Sequence, residues 1–370
     1  MAAAATSAGQ RVKPLDPTEV GAYLEEVRSL VLAELDRFVP RGTAYDADLY
    51  DLVRDYPLRP AKMLRPAIAY AVCRAAGGRA EAVLPTAAVL ELFHNAFLVH
   101  DDVEDVSLSR RSGPTLHRAH GVPIAINVGD AMLALCLPPL LDNTRALGVG
   151  RALRVLRLIA EMSHQTVRGQ ALELGWIRRN SFDLAERDYF RLVHQKTSWY
   201  TFVAPAVVGA MIAGATEVAT TRLRWWAAQL GLAFQIQDDV LNLTGDEDAV
   251  GKESMGDLWE GKRTLMLLHA LRAASPSERA RALQVLGQPR PSGERQDAHV
   301  KTESDVAFLR QLVDSTGAIA VARAESGRRS RAALRRLERL VPELEARGPG
   351  DSVHAAFLLG LNHYVVERTR

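Results

Sequence analysis

A chain of 370 residues with 48% hydrophobic and 24% charged side chains has the make-up of a soluble globular protein with a large core, in one large domain or two ordinary ones. Its 46 Lys and Arg barely outnumber its 44 Asp and Glu, which excludes the global field that recruits nucleic acid or an anionic membrane. The two cysteines, Cys73 and Cys136, lack metal-ligand spacing and read as buried free thiols of a reducing, cytoplasmic compartment.

The first residues carry no basic segment followed by a long apolar run, so no signal peptide is expected, and 1–15 read as a disordered tail. From there helix follows helix: β-branched alternation is scarce and apolar residues recur at three and four positions. The first helix spans 17–38, with Asp16 as N-cap and Pro17 at the first helical position. The next clear one, 81–105, is long and apolar and ends in the acids of "HDDVED" at 100–105. The uncharged stretch 197–216 has a membrane span's length but contains Pro205, Gly209 and several hydroxyls, and reads as a buried core helix. Residues 222–243 form another apolar helix, this one ending in "QIQDDVLN". The 286–305 segment, rich in Pro, Gly and charge, reads as a surface loop between helices of one bundle. The closing helices, near 304–346 and 352–368, are separated by "ARGPGDS".

The two acid clusters echo each other: "HDDVED" against "QDDVLN". On a helix, positions i and i+4 share a face, so Asp101 and Asp105 point together with Asp102 alongside, and Asp238 and Asn242 repeat the arrangement. Like charges at that spacing repel, and a helix C-terminus disfavours negative charge, so each site calls for a cation. Oxygen ligands without His or Cys geometry select a hard ion, and few carboxylates per site suit Mg²⁺ completed by water and phosphate. An EF-hand is excluded, because its alternating acids and central Gly are absent. Lys62, Arg65, Arg110, Arg111, Lys196, Lys252, Lys262 and Arg263 supply the basic half. Taken singly each is ordinary surface charge; converging on one cavity with metal ions they describe a site for diphosphates.

In order and spacing, "KMLRP", "LVHDDVEDVSLSRRSGPTLH", "RGQALEL", "HQKTSWY", "FQIQDD" and "GKESMGDLWEGKRT" resemble the trans-isoprenyl diphosphate synthases, or polyprenyl synthetases, from about residue 60 onward. The resemblance implies an all-α fold over 16–370, a single large bundle of long helices around a central cavity of the isoprenoid synthase type. It implies a prenyltransferase, usually a homodimer, that condenses isopentenyl diphosphate with an allylic diphosphate using three Mg²⁺ ions. Asp101 and Asp105, with Asp102 in support, and Asp238 with Asp239 would bind metal. Lys62, Arg65, His94 and Arg111 resemble the isopentenyl diphosphate pocket; taken bare, His94 is a packed helix histidine. Arg110, Lys196, Lys252 and Lys262 resemble the groups on the allylic diphosphate, with Thr197 and Gln235 beside the developing cation.

Three positions depart from the family's pattern: Asn242 for its third aspartate, Ala61 for Gly, and Glu173 for Asp. The prenyl tail is expected to grow back along the helix carrying Asp101, where side chains one and two turns earlier, roughly 5 and 11 Å away, form a floor. Ala96 is small and is expected to leave the passage open, while Phe97 and Phe93 narrow it or simply pack the core. In the family this pattern points to geranylgeranyl diphosphate, with farnesyl or geranylfarnesyl diphosphate as alternatives. A class I terpene cyclase usually has an Asn/Ser/Glu second metal motif and no isopentenyl pocket, whereas this chain has "QDDVLN" and keeps Lys62, Arg65 and Arg111. A non-catalytic regulatory subunit typically loses acids from the first motif, and here all are present.

Overall fold

Helix α1 (Pro17–Phe38) starts where the sequence places it: the Asp16 carboxylate accepts the N–H groups of Thr18 and Glu19, and Glu19 accepts that of Asp16. The computed structural model describes residues 12–111, 113–245, 255–290, 300–346 and 352–367. Residues 12–15, expected in a disordered tail, are ordered. Leu15 donates its N–H to Ala356 O at 3.1 Å, and its carbonyl occupies the space where a Cβ on Gly360 would sit. A backbone seat made by one missing side chain holds them, which periodicity cannot announce.

After α1 come α2 (Ala47–Leu58), α3 (Leu64–Ala75) and α4 (Ala80–Glu104), then a two-residue hairpin pairing Ser109–Arg110 with Gly113–Pro114. A short α5 (Leu116–His120) leads into α6 (Val122–Leu135), α7 (Leu137–Leu147), α8 (Val149–Arg178) and α9 (Glu186–Val193). The uncharged stretch is buried as expected, but it is not one regular helix: a π-helical segment, His194–Val203, runs directly into α10 (Ala204–Ala213). Next are α11 (Glu217–Thr244), α12 (Gly256–Glu260), α13 (Leu265–Ala273) and α14 (Pro276–Leu286). The expected 286–305 loop joins α14 to α15 (Glu303–Ser315), with its 291–299 portion outside the described residues. The run expected near 304–346 breaks at Gly317, φ +66°, into α15 and α16 (Ala318–Glu345), and α17 (Ser352–Glu367) follows.

α4 is apolar almost all round because it is central; Val83, Val89, Leu90, Leu92 and Ala96 are all at most 1% exposed. Two apolar clusters build the interior. One gathers α1, α3, α4, α10, α17 and the first half of α11; the other gathers α9, α12 to α15 and the second half of α11. Helix α11 belongs to both, through Leu223 and Leu230 at one end and Ile236, Val240 and Leu243 at the other. Its acids, Asp238 and Asp239, lie between Ile236 and Val240 of the second cluster. Cys73 and Cys136 are both fully buried and unpaired, and burial pushes the Cys73 thiol up to about 12 and the Cys136 thiol higher still. Ala80–Glu104 and Val122–Leu147 are each long and apolar enough to cross a membrane. The first is a core helix by burial, 72% against 39% for the second.

Candidate active site

The end of α4 aims Asp101 and Asp105 into a cleft, and Lys262, from the turn after α12, reaches across to meet them. Its ammonium lies 3.2 Å from Asp105 Oδ2, 2.6 Å from Glu260 Oε2 and 3.8 Å from Asp257 Oδ1. Lys196 stands 3.3 Å from Asp101 Oδ1 and donates a short hydrogen bond to Glu173. Burial opposes the Asp101 charge, but Lys196, Lys262 and Arg110 outweigh it and hold that carboxyl low. Burial dominates at Asp105 and pushes its carboxyl up, with Asp101 and Glu260 adding to the push. The pair thus favours one full negative charge over two until a further cation arrives.

Lys196 owes its place to backbone geometry. The widened π-helical turn carries it inward. Gly169, in "RGQALEL", lets α8 approach so closely that a Cβ there would lie 2.4 Å from the Lys196 nitrogen. Thr197 follows on the same segment and donates to Gln235 Oε1 at 2.8 Å. Gln235 in turn donates to Asp239 Oδ1 at 2.7 Å.

Asp102 and Asp239, expected in metal-supporting roles, are each tied to a buried tyrosine. Asp102 is fully buried and accepts from Tyr56 OH at 2.8 Å and from Arg110 Nε at 2.8 Å. Asp239 accepts from Tyr189 OH at 2.7 Å besides Gln235. A neighbouring position lies 100° round the helix, so Asp102 turns from Asp101 to Tyr56 of α2, while Asp239 meets Tyr189 of α9 and still lines the polar space with Asp238. Burial, then Asp257, pushes the Asp239 carboxyl well up. Asp238 lines the cleft with Asn242 and Asp257. The amide oxygen of Asn242 accepts the Asp257 N–H at 3.0 Å, so Asn242 holds the start of α12 and Asp257 brings a carboxylate to this side. Lys252 lies outside the described residues.

The hairpin separates the two arginines, because Arg110 closes the first strand and Arg111 opens the turn. Arg110 turns to Asp102. Arg111, with φ +51°, turns the other way, donating to Tyr56 O at 2.9 Å and Asn95 Oδ1 at 3.2 Å, with His94 Nε2 at 3.3 Å and Glu91 Oε1 at 3.8 Å. Arg65 lies over the Tyr200 ring, whose centroid is 5.8 Å from that of His94. Lys62 sits 5.9 Å from the Tyr364 ring centroid. Arg111 thus meets His94, and Tyr200 lies next to both His94 and Arg65.

Behind Asp101 a cavity of about 280 Å³ runs along α4, lined by Phe97, His100, Leu133, Val167, Ala171 and Tyr200 among others. Phe97, four residues before Asp101, stands directly beneath it, and Phe93 backs it with ring centroids 6.0 Å apart. Ala96, expected to leave the passage open, is fully buried in the α4 packing and does not line the cavity. Five positions before Asp101 is the wrong helical phase. Lys196 and Asp101 also line this cavity, while Lys262 is common to the polar spaces on either side, about 100 and 90 Å³.

No cluster of three or more His, Cys, Asp or Glu able to hold a metal alone occurs among the described residues. The carboxylates come as Asp101 with Asp105 and as Asp238 with Asp257, hard oxygen donors that leave most of a coordination sphere to water and phosphate, which fits Mg²⁺. Reading the sequence missed Tyr56, Tyr189, Glu91, Asp257 and Glu260. Asp257 and Glu260 lie within "GKESMGDLWEGKRT" and Glu91 stands four residues before Asn95 on α4, whereas the two tyrosines carry no such sequence relation.

Charged groups beside an apolar cavity on a helical frame suit a ligand with a charged head and an apolar tail. Residues 47–302 match the family model described as polyprenyl synthetase, and the chain belongs to that family. It is similar to the short chain isoprenyl diphosphate synthase of Methanocaldococcus jannaschii, 32% identical over 257 residues, 70% of this chain and 76% of that protein. Its fold matches the geranylgeranyl pyrophosphate synthetase of Pyrococcus horikoshii at a TM-score of 0.79 and 28% identity, covering 95% of this chain and 99% of that one. It also matches the Corynebacterium glutamicum geranylgeranyl pyrophosphate synthase complexed with isoprenyl diphosphate and magnesium at 0.76 and 26%, covering 91% and 99%. The chain is a prenyltransferase with the all-α isoprenoid synthase fold.

Proposed function

We propose that this prenyltransferase joins isopentenyl diphosphate to an allylic diphosphate, head to tail, and releases geranylgeranyl diphosphate. The observation that carries the reading is the continuity of the acid and lysine cleft with the apolar cavity behind Asp101. A substrate with a charged head and a growing hydrocarbon tail fits both at once.

Asp101 and Asp105 on one side and Asp238 on the other would hold Mg²⁺, three ions on the family's pattern. When bound, Mg²⁺ supplies Lewis-acid stabilisation of the diphosphate leaving group. Lys196, Lys262 and Arg110 take the remaining diphosphate oxygens, which favours charge developing on the leaving group as the allylic C–O bond breaks with its electron pair. Thr197 Oγ1 and Gln235 Oε1 present oxygens to the cation, while the Phe97 cavity keeps water off it. The isopentenyl double bond, its diphosphate held by Lys62, Arg65, His94 and Arg111, attacks that carbon. The new C–C bond forms, and a proton leaves to the departed diphosphate. No side chain acts as nucleophile.

We also infer a homodimer. Ile126, Leu137, Leu141 and Leu153, on α6 to α8, are 43%, 53%, 59% and 54% exposed, a run of large apolar side chains that water disfavours and a second copy would cover. Incubation of the purified chain with isopentenyl diphosphate and each allylic primer, with and without Mg²⁺, tests the chemistry. A C20 product dependent on Mg²⁺ is expected. Volatile hydrocarbon from the allylic substrate alone would overturn the reading in favour of a cyclase.

A further inference from the structure

The 286–305 loop carries nothing the proposed chemistry uses, yet its described ends are built into the rim of the cleft. Lys301 is 2% exposed, and its ammonium donates to Trp259 O at 2.7 Å. Its backbone N–H donates to Pro289 O at 3.0 Å. One residue therefore ties the near end of the loop to the turn that bears Glu260, Gly261 and Lys262. Arg290 follows Pro289 directly. Its guanidinium side chain is 17% exposed, with Nη1 3.6 Å from Glu260 Oε1. It lines the same 90 Å³ space as Asp101, Asp105, Arg110, Asp257 and Lys262.

We propose that Arg290 is a further diphosphate-binding residue of this enzyme, held at the mouth of the cleft by the Lys301 clamp. Glu260 lies 2.6 Å from Lys262 and 3.6 Å from Arg290, so the Arg290 contact is the looser of the two. A guanidinium carries five N–H donors in a planar fork that matches phosphate oxygens two at a time. Among the charged groups lining this space, Asp101, Asp105, Asp257 and Glu260 outnumber Arg110, Lys262 and Arg290. An entering dianion is therefore repelled unless each base is used. Lys301 holds the Trp259 carbonyl from a buried position, so the Arg290 guanidinium is the charge that the described near end of the loop brings to this space. This role rests on the proposed synthase reading only for the name of the substrate; the binding chemistry is that of any diphosphate.

The test is isothermal calorimetry of inorganic diphosphate in excess MgCl₂ with the full chain, Arg290→Ala and Arg290→Lys. The dissociation constant is expected to rise about tenfold or more in Arg290→Ala and to fall between the two in Arg290→Lys. In steady-state assays KM for the allylic diphosphate should rise with it, while KM for isopentenyl diphosphate stays within about twofold. Diphosphate affinity unchanged in a folded Arg290→Ala, with only its melting temperature lowered, would reduce Arg290 to a structural ion pair and overturn the proposal. Loss of binding by the unaltered chain would do the same. A chain that binds diphosphate through Arg290 yet forms no prenyl product would sink the synthase reading and leave this one standing.

Discussion

Asp101 and Asp102 are adjacent in sequence and opposite in consequence, so alanine substitutions should separate them. Asp102 is 1% exposed at its side chain and neutralises Arg110, itself 12% exposed, while accepting the Tyr56 hydroxyl. Removing one partner of such a pair leaves an uncompensated buried charge, at about 3–5 kcal/mol. Unfolding entropy of ~2.1 cal/mol/K per residue gives roughly 0.8 kcal/mol/K for 370 residues, so Asp102→Ala should melt about 4–6 °C lower. Asp101→Ala removes a carboxylate whose main partner, Lys196, keeps Glu173. Its cost should be ~1 kcal/mol, a shift of about 1 °C, while turnover falls by at least 10²–10³. Circular dichroism melts and a steady-state prenyl transfer assay read both quantities on both variants. Equal melting temperatures for the two, or near-normal turnover in Asp101→Ala, would refute the division of labour.

Phe97→Ala should lengthen the product by one or more C5 units on chromatography, while Ala96→Phe, which overpacks a buried site, should lower stability by about 1–3 kcal/mol without a matching shortening. Leu141→Glu should convert the inferred dimer to monomer by light scattering, since it charges an exposed apolar face; an unchanged mass would remove that face as the interface. Burial lowers the Lys301 pKa from 10.5 to about 8, so between those values the unfolded chain binds the extra proton and this residue's contribution to stability rises with pH. Melting curves from pH 8 to 10 should show the wild type gaining on Lys301→Met, and a constant difference would contradict the assignment.

Local signals carried α1, α4 and α11 well, because a cap with a first-position proline or an unbroken apolar run is written in neighbouring residues. The pairing of the acid-tipped helices was legible because the motif repeats. What escaped depended on contacts distant in sequence or on helical phase. Tyr56 and Tyr189 reach Asp102 and Asp239 from helices 46 and 50 positions earlier. The π-helical turn at Lys196 has no compositional mark, and the phase that sets Phe97 rather than Ala96 against the cavity shows only in the fold. Asn242 looked like a weakened ligand, and only the fold shows it accepting the Asp257 N–H.

The two thiols have a practical consequence. Cys73 and Cys136 are sealed in the core, and burial raises both out of the range where a thiolate forms near neutral pH. The native chain is therefore expected to serve as a cysteine-free background toward maleimides. A single cysteine placed on an exposed residue of α2 and another on α15 would accept a donor and acceptor dye without removing either native one. The distance across the cleft then becomes measurable in solution as diphosphate is added.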